Sequence, residues 1–187
     1  DSRNNLHTDL AHGLHKRVWD ADAAEDGTSV SFSIDLADGE LGLPSNRHFT
    51  ANFSLAPAAE GGVALTVGYA CESDAPTFVN MTNHTYWNLF DFRRTKTLGR
   101  DIGLEDAQLA QGRGYDHCLC VDGYERGATP RHALSAEDLA CGRTLDIYIT
   151  TPGAHLYTGN WLDDADAKHG ATYTPRCGFA FEPEFWP

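Results

Sequence analysis

Basic residues are scarce in this chain. Its 187 residues include 14 lysines and arginines against 27 aspartates and glutamates, which gives a net charge of −13. The acidic residues are spread along the chain and are not gathered in a tail. Because nucleic acids and anionic membrane surfaces attract positively charged proteins, we expect neither as a partner.

The sequence also lacks a long apolar run. Its uninterrupted hydrophobic stretches are only a few residues long, whereas a membrane-spanning helix needs about 20 apolar residues. The first residues, DSRNNLHTDL, have neither the charged start nor the apolar stretch of a secretory signal peptide. We therefore expect a protein that neither crosses a membrane nor is secreted.

The cysteines give no framework for disulfide bonds. The chain has five of them, an odd number, scattered between Cys71 and Cys177. Without a secretion signal, such cysteines are expected to stay reduced, so we predict free thiols and a cytoplasmic protein. Metal-binding patterns are missing too. Histidines are frequent near the start, at His7, His12 and His15, but there is no His-Glu-x-x-His motif and no paired Cys-x-x-Cys spacing, so we predict no metal ion.

Alternating apolar and polar residues predict β-strands. The alternation indicates four strands, near residues 28–34, 49–55, 63–69 and 144–150. Helix signals are few. The clearest, Ser135-Ala-Glu-Asp138, has the residue types of a helix cap with acidic first-turn residues, and the four residues that follow allow one or two turns of helix at most. With no visible linker, residues 1–187 are predicted to form a single all-β domain, an antiparallel β-sandwich or barrel.

The most informative stretch runs from Pro76 to Leu89 and reads PTFVNMTNHTYWNL. Its histidine, His84, lies among Asn, Thr and Tyr side chains that can fix its tautomer, as acid–base catalysis requires. A structural histidine that is hydrogen-bonded to polar neighbours has the same surroundings. The residues alone therefore leave both interpretations open.

This stretch closely resembles the histidine motif of the aldose 1-epimerases (galactose mutarotases), whose usual form is Val-Asn-x-Thr-Asn-His-x-Tyr-aromatic-Asn-Leu. Further segments resemble the same family in the same order: 15–19, 38–44, 114–117, and 151–160 followed by 178–187. The matches run from one end of the chain to the other. The resemblance implies a galactose mutarotase-like antiparallel β-supersandwich. It also implies an enzyme of hexose metabolism that interconverts the α and β anomers of free galactose or glucose.

The resemblance also implies roles for individual residues. In the family, a glutamate of the C-terminal Glu-Pro motif takes the proton from the anomeric hydroxyl, and a histidine protonates the ring oxygen. By resemblance these residues are Glu182 and His84. Asp116 and His7 resemble residues that bind the sugar hydroxyls, and no metal or other cofactor takes part. His12 is a rival of His7, because the two glycines that follow this histidine in the family are missing here.

Glu182 has a rival in Glu184, which would face the same side of a strand, so only the motif separates them. The apolar residues around Glu182 predict a raised pKa and a more basic carboxylate. We also predict that the side-chain ends of His84 and Glu182 lie within about 5–8 Å and share a pocket with Asp116, since both must reach one sugar ring. Four aromatic residues are candidates for a flat face against the sugar: Trp19, Tyr86, Trp87 and Trp161.

Two departures from the family pattern keep alternatives open. The N-terminal section that carries a substrate-binding arginine in the family is not found here. In addition, Asn88-Leu89 runs straight into Phe90, where the family has a long stretch with several strands. We therefore expect that N-terminal and internal segments are missing from this sequence.

One alternative function is carbohydrate binding without catalysis. Another is a phosphosugar epimerase, in which the basic cluster Arg93, Arg94 and Lys96 would bind the phosphate.

Overall fold

Antiparallel strands make up most of the regular structure of the chain. A computed structural model describes residues 7–59, 61–89, 106–163, 170 and 172–186. The chain divides into two units, Asp1–Val79 and Asn80–Pro187. All five cysteines are free thiols. Within the described part of the chain, no helix has the length and apolar character needed to span a membrane.

The first unit is built on a four-stranded antiparallel sheet with the strand order β1-β2-β3-β4. Its strands are β1 (Asp20–Ala23), β2 (Ser29–Leu36), β3 (Arg47–Pro57) and β4 (Val63–Ser73). Short 3₁₀ turns lie at Leu14–Lys16 and Glu40–Gly42. The alternation in β3 buries Phe49 and Ala51. The three strands predicted in this region are confirmed.

The second unit contains a four-stranded antiparallel sheet and a two-stranded hairpin. The elements are β5 (Tyr86–Trp87), α1 (Ala107–Gly112), β6 (Asp116–Cys120), β7 (Arg131–Asp138), β8 (Arg143–Ile149), β9 (Gly153–Tyr157) and β10 (Phe179–Glu184). The sheet has the order β5-β10-β9-β6, and β7 pairs with β8. Strand β8 confirms the fourth predicted strand.

The helix predicted after residues 135–138 is wrong. Those residues end β7, and the next four form the turn into β8. The side chain of Asp138 accepts a hydrogen bond from the backbone N–H of Ala140 at 2.8 Å. The backbone carbonyl of Asp138 accepts one from the N–H of Gly142 at 2.7 Å. An aspartate makes the same bond to the backbone two residues on in a tight turn as at a helix start. Gly142, with a φ of +70°, suits the turn.

The core of the second unit lies between the sheet and the hairpin. Phe179 and Phe181 alternate with Ala180 and Glu182 along β10, so both phenylalanines point to one face of the sheet. Together with Ile149 they belong to a buried cluster against which apolar residues of β7 and β8 pack. The opposite face of the sheet therefore carries the polar residues of β10.

Phe181→Ala is expected to lower the free energy of unfolding by about 3–5 kcal/mol, because it leaves a cavity in this cluster. The matched control is Tyr148→Ala, since Tyr148 lies in the hairpin but is 59% exposed. That change is expected to cost about 0.5 kcal/mol or less. Urea unfolding followed by circular dichroism measures both. Equal losses in the two variants would contradict the assignment of the core.

Candidate active site

Two asparagines fasten the segment that carries His84 alongside β10. Asn80 donates from Nδ2 to the carbonyl of Phe185 at 2.9 Å, and its Oδ1 accepts from the N–H of Phe185 at 3.0 Å. Further along, Asn88 donates from Nδ2 to the carbonyl of Cys177 at 2.7 Å. Since Cys177 precedes β10 and Phe185 follows it, the two amides hold the segment at both ends of that strand.

A local turn at Asn83 then presents the histidine. The Oδ1 of Asn83 accepts hydrogen bonds from the backbone N–H and the hydroxyl of Thr85, which is the geometry of an Asx turn. After the turn, Tyr86 pairs with Ala180 of β10. His84 is thus fixed between two anchored points on the polar side of the sheet.

The two predicted catalytic side chains contact each other directly. Nε2 of His84 lies 3.4 Å from Oε1 of Glu182, and the two side chains are 36% and 9% exposed. The two side-chain ends therefore lie within the predicted limit of about 5–8 Å, and both groups lie on the same face of the sheet, as the prediction required. A protonated imidazole at this distance favours the ionised form of a buried carboxylate.

Burial raises the pKa of Glu182 above the usual value for a glutamate. The charges of His84 and His155 act in the opposite direction, and the nearby carboxylates of Glu184 and Asp116 raise the pKa further. The direction predicted from the apolar sequence around Glu182 is confirmed. A carboxylate with a raised pKa is a stronger base, which suits it to take a proton from a sugar hydroxyl.

Two tyrosines lie against His84. The ring centroid of His84 is 4.9 Å from that of Tyr86 and 6.3 Å from that of Tyr157. Burial is the main reason why the pKa of Tyr86 is raised to about 12, with smaller contributions from Tyr157 and Glu182. Burial likewise raises the pKa of Tyr157. Both phenols therefore stay neutral near pH 7 and keep their O–H donors.

Asp116, the first residue of β6, is held through the backbone before it. Oγ1 of Thr158 accepts from the N–H of Tyr115 at 3.0 Å, and Nδ2 of Asn160 donates to the carbonyl of Tyr115 at 2.8 Å. Both supporting side chains are buried. Gly114 is needed next to them, because a β-carbon there would overlap both side chains. The Asp116 carboxylate itself is 46% exposed and accessible to a ligand.

His155 joins the predicted residues into one cluster, and the sequence did not predict it. Its Nε2 forms a hydrogen bond of 2.9 Å with Oδ1 of Asp116, and its Nδ1 lies 3.8 Å from Oε1 of Glu184. The register of β9 and β10 pairs His155 with Glu182. Although the segment containing His155 carried part of the family resemblance, no sequence signal shows which strand residues will lie side by side.

The remaining hydroxyl-binding candidates belong to the first unit, whereas the cluster described above belongs to the second. His7 is exposed and has a φ of +55°, a backbone conformation that is uncommon for residues other than glycine. Its rival His12 is exposed as well, and its Nδ1 lies 3.2 Å from the carboxylate of Asp9. The role of His7 in binding sugar therefore stays a prediction.

The four aromatic candidates have different surroundings. Tyr86 lies against His84, whereas Trp87 packs against the core of the second unit. Trp19 is half-buried and donates its indole N–H to a backbone carbonyl. Trp161 is 56% exposed, and the guanidinium carbon of Arg113 lies 4.5 Å from its ring centroid. Tyr86 therefore contacts a member of the predicted catalytic pair.

The basic cluster proposed for a phosphate lies outside the described residues, since Arg93, Arg94 and Lys96 all fall in 90–105. In the part of the chain that the structure does describe, no group of three or more histidine, cysteine or acidic side chains is arranged to hold a metal ion.

Similar proteins are found among named sequences and among solved structures. The chain is 30% identical to human galactose mutarotase over 98% of its length, and 27% identical to aldose 1-epimerase of Escherichia coli K12 over 94%. A solved GalM/aldose epimerase homologue from C. elegans covers 99% of the chain with a TM-score of 0.72 at 21% identity. Galactose 1-epimerase from Lactobacillus acidophilus covers 92% with a TM-score of 0.63 at 20% identity. These structures have the same antiparallel β fold.

The chain spans 61% of the human protein, 60% of the E. coli protein, and 65% and 59% of the two solved chains. The alignment with the human protein is 226 residues long, which is longer than the chain itself. The human protein therefore has residues within the aligned region that this chain lacks. The model of the aldose 1-epimerase family matches in two parts, residues 1–97 and 88–187. The parts overlap at residues 88–97, where the sequence predicts a missing internal segment, and that segment stays a prediction. Because the two matches together cover the whole chain, it belongs to the aldose 1-epimerase family.

Proposed function

We propose that this chain acts as an aldose 1-epimerase that interconverts the α and β anomers of free hexoses such as galactose and glucose. The observation that carries the proposal is the 3.4 Å contact between His84 and the buried Glu182 on the polar face of the sheet. Relatives named galactose mutarotase and aldose 1-epimerase support it. The free thiols are compatible with a place in cytoplasmic hexose metabolism.

The proposed reaction begins by opening the sugar ring. Glu182 takes the proton from the anomeric hydroxyl, and the electrons of that O–H bond form the carbonyl as the bond between the anomeric carbon and the ring oxygen breaks. His84 donates a proton to the leaving ring oxygen. Rotation about the bond next to the carbonyl exposes its other face, and both proton transfers then run in reverse as the ring closes. The net change is the configuration of the anomeric carbon alone.

The contact between acid and base suits this chemistry because the two oxygens concerned are bonded to one carbon. Two groups that start side by side can reach both oxygens through small side-chain rotations, within the 2.6–3.2 Å or so that proton transfer needs. Asp116, with its exposed carboxylate, is the proposed acceptor for other sugar hydroxyls. The role of His7 rests on the resemblance alone. No step in this scheme uses a metal or nucleotide.

Glu182→Gln is expected to lower kcat by about 10²–10⁴-fold, because it keeps the shape of the side chain but removes the base. Polarimetry of freshly dissolved α-galactose or α-glucose measures the rate. Sugar binding, measured by calorimetry, should survive. The matched control is Glu137→Gln, since Glu137 is exposed on β7 and takes no part in the cluster; it should keep the wild-type rate.

Full activity of Glu182→Gln would contradict the assignment of the base. If Glu184→Gln lost as much activity as Glu182→Gln, the motif match would not be a valid reason to choose Glu182 over Glu184 as the base. A wild-type chain that binds the sugar without accelerating its mutarotation would favour the alternative of a non-catalytic carbohydrate-binding protein.

The raised pKa of Glu182 also makes a prediction about stability. Between the pKa of an unfolded glutamate, about 4.3, and the higher folded pKa, the folded chain binds more protons than the unfolded chain. The free energy of unfolding therefore falls as the pH rises through that range. Glu182→Gln should remove this decline and unfold at the same or a higher urea concentration than wild type at neutral pH. If Glu182→Gln were less stable than wild type at neutral pH but not at acidic pH, the predicted direction of the pH dependence would be contradicted.

Treatment of the chain with EDTA, followed by gel filtration, is expected to leave the polarimetric rate unchanged. The reason is that the proposed proton transfers use only a carboxylate and an imidazole. Loss of activity that zinc or another divalent ion restores would contradict this chemistry.

A further inference from the structure

His155 occupies the middle of the polar face. In the antiparallel register it pairs with Glu182 of β10 on one side and with Cys118 of β6 on the other. Directly paired residues of neighbouring strands point to the same face of a sheet. The imidazole of His155 therefore lies between the strand that carries the proposed base and the strand that carries Asp116.

Both nitrogens of the ring face carboxylates. Nε2 is 2.9 Å from Oδ1 of Asp116, and Nδ1 is 3.8 Å from Oε1 of Glu184. With Glu182 on the paired position, this face brings three carboxylates around one imidazole. Like charges this close oppose one another's ionisation, so a cation among them has a specific electrostatic effect.

We propose that His155 is a positioning residue of the reaction, which fixes the Asp116 carboxylate by its Nε2 hydrogen bond and places an imidazole charge against the carboxylates around Glu182. The inference rests on the proposed function of the site. His155 takes no part in the proton transfers themselves. It acts through two other side chains, the sugar-binding carboxylate and the base.

The two effects have separate physical consequences. The hydrogen bond to Asp116 governs how the carboxylate meets a sugar hydroxyl, so its loss should raise KM. The charge of His155 lowers the pKa of Glu182 against the effect of burial, whereas the carboxylates of Glu184 and Asp116 raise it. Among the described residues, the other titratable groups facing Glu182 are His84, which we propose as the acid, and the phenol of Tyr86, whose pKa is about 12.

Two substitutions of His155 separate these effects. His155→Gln replaces the ring by an amide whose N–H can still donate to Asp116, but it removes the charge. Its KM should stay within about threefold of wild type, while the acid limb of the kcat/KM profile moves to higher pH. His155→Leu removes both the hydrogen-bond donor to Asp116 and the charge. It should raise KM about tenfold or more, as expected for a lost hydrogen bond to a charged group.

The matched control is His132→Gln. His132 is another histidine beside a carboxylate, with its Nε2 3.3 Å from Oδ1 of Asp146, but it lies on hairpin strand β7 and not in the cluster. The KM and the pH profile of this variant should both match those of wild type.

A second readout does not depend on activity. Glutamate labelled with ¹³C at its carboxyl carbon reports the titration of Glu182 in the full chain, and its signal is assigned by its absence in Glu182→Gln. The midpoint should be higher in His155→Gln than in wild type. It should be lower in Glu184→Gln, which removes a like charge and provides a second variant if His155→Gln does not fold.

An unchanged midpoint in both variants, or equal KM values in His155→Gln and His155→Leu, would overturn the proposal. A wild-type chain without mutarotase activity would overturn the proposed function instead. In that case the titration still decides whether His155 sets the ionisation of Glu182.

Discussion

The register between strands β9 and β10 is the constraint on which the site depends. It pairs Glu182 with His155, and because side chains alternate along a strand it sends Phe179 and Phe181 to the other face. The phenylalanines are buried in the core of the second unit. A slip of one residue would exchange the two faces, burying carboxylates in that core and exposing aromatic rings. Core packing and the arrangement of the polar site are therefore determined by the same pairing.

The polar face works against the stability of the unit that carries it. Glu182 is almost fully buried, and its pKa is raised by burial and by two neighbouring carboxylates. His84 and His155 reduce this penalty without removing it. In the proposed function this remaining electrostatic cost is useful, because it leaves a base that takes protons more readily than a solvated glutamate does. The apolar face of the same sheet supplies the stability that offsets it.

The sequence predicted the strands better than the contacts between them. Alternation alone located the strand that contains Phe49 and the one that ends at Ile149, since the period of two survives without knowledge of the partner. It misread residues 135–138 as the start of a helix, because an aspartate forms the same side-chain bond to the backbone in a turn as at a helix start. The family resemblance proposed Glu182 as the base. His155 was missed, because its position beside Glu182 follows from strand register and no local pattern encodes it.

The central claim is that His84 and Glu182 act as one acid–base pair, and a double-mutant cycle tests it most directly. The rates of anomer exchange are measured by NMR for wild type, Glu182→Gln, His84→Gln and the double variant. Residues that act as a unit are strongly non-additive, so the double variant should be about as slow as the slower single variant. If the losses of the two single variants multiplied in the double variant, the two side chains would act independently, and the proposed pairing would be contradicted.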